Sequence, residues 1–248
     1  MFHSSNLKRF APSSCATTNT EKYLAAKASA HTFTELDLVI GIGIVADLVL
    51  SLLNVTVHWS SVGIITVILS LYLLSLLLFQ RIRPLVGRLL LAGIIAGICE
   101  LFTDASGQSV AHSLLYPTHE LMLWASPLYM PLSWMVILTH LGYIAWRLRA
   151  LVSLRKAALI SGIVGAIQIP VYEEMAYYGG WWQYKPTHLM LGHTPLYVLL
   201  FEGLIVAALP LLYDRIERRS WIHVTLIGIL VGAWMPFAAL FSWLLLGL

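Results

Sequence analysis

The sequence predicts an all-α fold, a polytopic membrane bundle of seven transmembrane helices with a cytosolic N-terminus and a lumenal C-terminus. Three observations predict it. Apolar residues make up 59% of the chain and charged residues only 11%, against roughly 25% charged in a soluble domain. Stretches long enough to cross about 30 Å of hydrocarbon recur along its length. The basic residues alternate between successive connections.

The expected spans are 36–57, 62–80, 88–106, 122–146, 157–174, 194–213 and 222–246. Lys8, Arg9, Lys22 and Lys27 precede the first. Arg81, Arg83 and Arg88 lie in or beside the second connection, Arg147, Arg149, Arg155 and Lys156 at the fourth, and Arg215, Arg218 and Arg219 in the sixth. Of the 15 basic residues only Lys185 falls in an odd connection. This asymmetry puts the N-terminus and the even connections in the cytosol.

Residues 1–35 read as a disordered cytosolic tail and 36–248 as one membrane domain, with no internal repeat. The lack of acids before Glu21 leaves a mitochondrial presequence as the alternative for the tail. Asn54-Val55-Thr56 is a formal glycosylation sequon at the end of the first span. Cys15 and Cys99 supply neither a disulfide framework nor a CxxC metal pair.

The acids point to a site. Ionisable residues within spans are costly and face a bundle interior or a water-filled cavity. Glu100 and Asp104 fall in the lumenal half of the third span, four apart on one face. Glu120 stands at the entrance of the fourth, Glu173 and Glu174 end the fifth, and Glu202 lies about two turns into the sixth. Asp47, near the middle of the first span, is the outlier. Apart from Lys185 no lysine or arginine lies at that depth, and burial with like-charge crowding favours protonated acids. A group of neutral carboxyls beside an apolar pocket suits general-acid catalysis. Adjacent helix positions point about 100° apart, so Glu173 and Glu174 cannot both face the axis unless the helix breaks, as it could at Pro170. Spacing favours Glu173 as the inward residue.

Aromatics crowd the same end. Tyr129 and Trp134 sit beside Pro127 and Pro131, and Tyr177 and Tyr197 flank the fifth connection. Aromatic faces attract cations, so these four are expected to line a site that holds a carbocation. Trp181 and Trp182 read as interfacial residues.

Several classes are excluded by absence. There is no DDxxD-type acidic motif for a magnesium diphosphate, no HExxH, no Walker loop and no Rossmann fingerprint. The last span has no lysine for a retinal. No metal or cofactor is expected, although His112, His119, His188 and His193 leave a zinc site as an alternative.

Taken together, the intramembrane acids of CELFTD (Glu100, Asp104), SPLYMPLSW (126–134) and PVYEEMAYYGGWWQY (170–184) resemble the small seven-span integral-membrane terpene cyclases of fungal meroterpenoid pathways. The resemblance extends over about 36–246. It implies protonation of a terminal epoxide or alkene on a farnesyl-type chain, then cation-driven ring closure by acids on different helices without metal. The acid role carries over to Glu100, Asp104 and Glu173, with Glu202 next. The implied partners are a lipophilic prenylated small molecule and membrane lipid, with no nucleic acid, and the implied location is the endoplasmic reticulum. A sterol or carotenoid isomerase or hydratase would use the same protonation step. A transporter is the non-enzymatic alternative.

A reporter fused after Leu248 is expected in the lumen and one ahead of Met1 in the cytosol. A protease-protected N-terminus with an accessible C-terminus overturns this topology.

Overall fold

The computed structural model describes residues 34–57, 62–76, 83–117 and 120–247. All but the end of the tail expected over 1–35, together with Arg81 and His119, lies outside the described residues. The chain is mostly helical. Its helices are α1 (Glu35–Val57), α2 (Val62–Ser75), α3 (Arg83–Ser109), α4 (Met130–Leu151), α5 (Leu154–Gly179), α6 (Leu196–Leu212) and α7 (Trp221–Leu246). Two-residue strands occupy the connections: β1 (Leu114–Leu115), β2 (Met122–Leu123), β3 (Ser126–Pro127), β4 (Gln183–Tyr184), β5 (Met190–Leu191) and β6 (Thr194–Pro195). Helices α1, α3, α5 and α7 are long and apolar enough to cross a membrane, and α2 and α6 are shorter apolar helices. Large apolar side chains on α1 and α7, such as Val45, Leu52, Ile229 and Phe237, face outward. These features are compatible with a membrane protein.

The helices fall on the expected spans with one large shift. The fourth was expected from 122, but residues 122–129 form a β2–β3 hairpin and α4 starts at Met130. Trp124 adopts a left-handed φ of 58° to turn that hairpin. Pro131 then falls in the first turn of α4, where a missing N–H costs nothing. A second correction concerns Pro170, because α5 runs through it to Gly179 without a break. Asn54 of the formal sequon is buried and accepts a hydrogen bond from Trp181 Nε1 at 2.8 Å, so it is an internal residue.

The fold also overturns the expectation of no repeat. YPTHELMLWASPLYM (116–130) and KPTHLMLGHTPLYV (185–198) share a Pro-Thr-His and a Leu-Met-Leu-x-x-x-Pro-Leu-Tyr core, offset only by the inserted Glu120. Both fold alike. β2 pairs with β3 and β5 with β6, and Trp124 and Gly192 share the left-handed turn position, at φ 58° and 60°. The hairpins close with the matching bonds Leu128 N–H to Leu121 O and Leu196 N–H to Leu189 O. Each leads into a helix. The preceding strands, β1 and β4, pair antiparallel with Leu114 opposite Tyr184 and Leu115 opposite Gln183. Leu115 and Tyr184 hold equivalent positions, as do Leu114 and Gln183, so the ladder exchanges equivalents as a two-fold axis would. The repeating unit is helix, hairpin, helix: α3 with α4, then α5 with α6.

Packing repeats as well. The best-packed pairs are α5 on α6, α3 on α7 and α3 on α4. A Cβ on Gly93 of α3 would lie 3.0 Å from the Met135 carbonyl of α4, and one on Gly162 of α5 would lie 3.1 Å from the Gly203 carbonyl of α6. Gly93 and Gly162 are equivalent, and so are Met135 and Gly203. Small residues that let backbones approach are the usual means of helix association in lipid. At the end away from the hairpins, Asp37 of α1 accepts from Tyr143 at 2.7 Å and pairs with Arg147 at 2.8 Å.

A Cβ on Gly97 would come 2.5 Å from the Pro131 carbonyl, whereas one on Gly41 would meet nothing within 4 Å. Gly97→Ala is therefore expected to destabilise by about 1–3 kcal/mol, read as a lowered thermal midpoint in detergent. Gly41→Ala should leave that midpoint unchanged or raise it.

Candidate functional site

Between the two repeats lies a cavity of about 400 Å³, within the roughly 300–1,000 Å³ of small-molecule sites. Glu100, Asp104, Glu173 and Glu202 all line it, and no lysine or arginine does. All four are buried. They neighbour one another in a closed circuit, Glu100 with Asp104 and Glu202, Glu202 with Glu173, and Glu173 with Asp104.

Each acid has its own surroundings. Asp104 Oδ2 accepts from Tyr116 OH at 2.6 Å and from Ser126 Oγ at 2.7 Å. Glu173 accepts from Trp182 Nε1 at 2.6 Å and from Tyr184 OH at 3.5 Å. Glu100 lies beside Asp104, one turn along the same helix, and beside the Trp134 indole on the cavity wall, while its Oε2 is buried with no partner. Burial, and then the neighbouring carboxyls, push the phenols of Tyr116 and Tyr184 well above their usual range, which keeps both as O–H donors.

The lining follows the repeat. Asp104 and Glu173 each precede their Pro-Thr-His proline, Pro117 or Pro186, by thirteen residues. Trp134 and Glu202 each follow a hairpin tyrosine, Tyr129 or Tyr197, by five. Thr103 and Tyr172, and Ser133 and Phe201, are further equivalent pairs, and every member of these last three pairs lines the cavity with Asp104 and Glu173. The acids therefore sit at the junction of the two halves.

Of the expected aromatics, Trp134 and Tyr197 line the cavity and Tyr129 does not. Tyr129 is instead a buried residue at the N-cap of α4. Tyr177 is also misplaced by the sequence reading, since it is 42% exposed and stacks on His193 at 3.4 Å between ring centroids. A helix without a break at Pro170 turns Glu173 inward and Glu174 outward, and the Glu174 side, with Tyr177 and Tyr178, meets the β5–β6 hairpin. Glu174 accepts from His193 N–H at 2.7 Å and bonds its Nδ1 at 2.8 Å. The zinc alternative loses His193 to that pairing. Among the described residues no group of three or more potential ligands could hold a metal ion.

Sequence reasoning missed Tyr116, Ser126 and Tyr184 as hydrogen-bond donors to the acids and assigned Trp182 to the interface. The repeat was the signal that could have found them, because it aligns Asp104 with Glu173 and directs attention to the segments that follow each. Asp47, the expected outlier, accepts from the hydroxyl of Tyr172, whose ring lines the cavity.

A helical bundle with a carboxyl-walled cavity at the seam of a duplicated helix–hairpin–helix unit is the class that fold and site define. Residues 101–246 match the family described as a domain of unknown function, DUF6989, and the chain belongs to that family. No curated protein and no solved structure matches it. The matched region takes in both hairpins, Asp104, Glu173 and Glu202, and leaves out α1 and α2.

Proposed function

We propose that the chain is a seven-span integral protein of the endoplasmic reticulum that acts as a terpene cyclase, isomerising a prenylated substrate by Brønsted-acid catalysis in secondary-metabolite biosynthesis. One observation carries the reading: an apolar cavity into whose wall three helices bring four carboxyls, with tryptophan and tyrosine around them and no lysine or arginine. Such a wall can deliver a proton and then shelter positive charge.

Glu100 is the proposed donor. Asp104 is held by two hydroxyl donors whereas Glu100 Oε2 has no partner, which favours the carboxylate on Asp104 and the proton on Glu100. The proton passes to the epoxide oxygen as the C–O bond at the more substituted carbon breaks. The π pair of the next alkene attacks that carbon and a ring C–C bond forms. The last cation loses a proton from the adjacent carbon, its electron pair becoming an alkene. Glu173 or Glu202, on the opposite wall, takes that proton. Atoms balance, so substrate and product are isomers.

A second reading draws on the duplication. Parallel repeats related by an axis along the membrane normal occur in transporters, and a transporter of amphiphiles would place its binding site at such a seam. The two are separated by product mass and structure, since a transporter returns its ligand unchanged.

Yeast microsomes carrying the protein are expected to convert an epoxyfarnesyl phenol into a cyclic product of equal mass. Glu100→Gln and Glu173→Gln should lose a factor of about 10² to 10⁴ in rate, as general acid–base groups do. Glu174→Gln should lose less than about tenfold, with turnover normalised to folded protein. A dead Glu174→Gln beside an active Glu173→Gln reverses the assigned facing.

Activity is also expected to survive EDTA, because Asp104 and Glu173 already hold hydroxyl and indole donors. Loss of turnover in chelator, restored by zinc or magnesium, removes the Brønsted-acid mechanism.

A further inference from the structure

A second cavity, of about 470 Å³, opens directly beside the first and shares Ala111, Ser113 and Trp243 with it. Its character is the opposite. His112, Lys185 and His188 line it, and no acid does. Lys185 is the only lysine or arginine in the odd connections. These three side chains make no ion pair or side-chain hydrogen bond among the described residues. The backbone holds two of them in place. His112 adopts a left-handed φ of 51°, rare for a residue other than glycine. The Lys185 N–H bonds the Ser113 carbonyl at 2.8 Å, which puts the Lys185 and His112 segments side by side. The repeat adds an independent point. Lys185 stands where the first half has Tyr116, each immediately before Pro-Thr-His. Tyr116 donates into the acid cluster, whereas Lys185 lines the outer cavity.

We infer that the outer cavity binds the anionic head, phosphate or carboxylate, of an amphiphile whose apolar tail lies in the carboxyl-walled cavity. The inference rests on the reading of the inner cavity as a site for a prenyl-type chain, and it supplies the substrate class and its orientation. An anion finds no lysine or arginine on the inner wall and is attracted by Lys185, with imidazole N–H groups of His112 and His188 as further donors. Tail and head therefore sort to opposite ends. The shared Ala111, Ser113 and Trp243 mark where the two cavities adjoin.

Binding of plain alkyl amphiphiles tests this without turnover. In nanodiscs of neutral lipid, the full-length protein is expected to bind dodecyl phosphate or dodecanoate at least about tenfold more tightly than dodecanol, read by quenching of tryptophan fluorescence. Whichever anion gains more identifies the head. Lys185→Gln should lower that ratio severalfold, and the His112→Ala/Lys185→Gln/His188→Ala variant should bring it to about one while dodecanol affinity stays unchanged. Lys185→Arg should restore it. A ratio near one in the wild type, or a ratio that survives Lys185→Gln and the triple variant, overturns the proposal. A protein that keeps the preference but cyclises nothing loses the cyclase reading and keeps this site. A working cyclase without the preference does the reverse.

Discussion

Four carboxyl groups buried around one apolar cavity, with no cation on its wall, are the constraint that organises the hairpin end of this bundle. An ionised carboxylate out of water and without donors is too costly to keep, so the acids must be hydrogen-bonded, protonated or both. The short strands perform this task despite their size. β1 leads into Tyr116 and the β2–β3 hairpin carries Ser126, and both residues donate to Asp104. The segment ending in β4 carries Trp182 and Tyr184, and both donate to Glu173. Because β1 and β4 pair with each other, one small ladder holds the donors of both acids. Opening it would strip hydrogen bonds from two buried carboxyls at once.

Duplication explains why the acids meet. Each half ends its first helix with an acid at the same position and returns through the same hairpin. Placing the halves about a two-fold axis brings Asp104 and Glu173 to one cavity. The halves then differ where the chemistry requires it. Glu100 of α3 has Ile169 as its counterpart, so only one half carries a carboxyl–carboxyl pair. Glu202 of α6 has Trp134, so the opposite wall offers an acid where the first offers an indole. A symmetric cavity would bind a symmetric ligand. These exchanges give it one side with two neighbouring carboxyls and another with a single carboxyl where the first has an indole.

The sequence disclosed the helices, the grouping of Glu100, Asp104, Glu173 and Glu202 and the inward facing of Glu173, because each depends on apolar run length or helical period. It failed where local backbone chemistry outweighs composition. The segment from Met122 to Tyr129 is apolar enough to read as helix, yet Pro127 and the left-handed Trp124 make it a hairpin. Tyr177 looked like a cavity residue because it lies one turn beyond Glu173, but the helix ends at Gly179 and Tyr177 stacks instead on a loop histidine. The repeat escaped notice because its identical residues lie in connections, where apolar periodicity carries no signal, and because Glu120 shifts the register by one.

α1 lies outside both the duplicated unit and the matched family region, yet two bonds tie it to the site. Trp181, next to the Glu173 donor Trp182, bonds Asn54. Tyr172, one residue before Glu173, bonds Asp47. Asp47 does not line the cavity, whereas the Tyr172 ring does. The carboxyl of α1 therefore reaches the cavity wall through a phenol, holding the hydroxyl end of Tyr172. In the first half the position of Tyr172 is held by Thr103, and no aromatic ring is present there. α1 is thus a support for the wall that the second half contributes, on the side of Glu173.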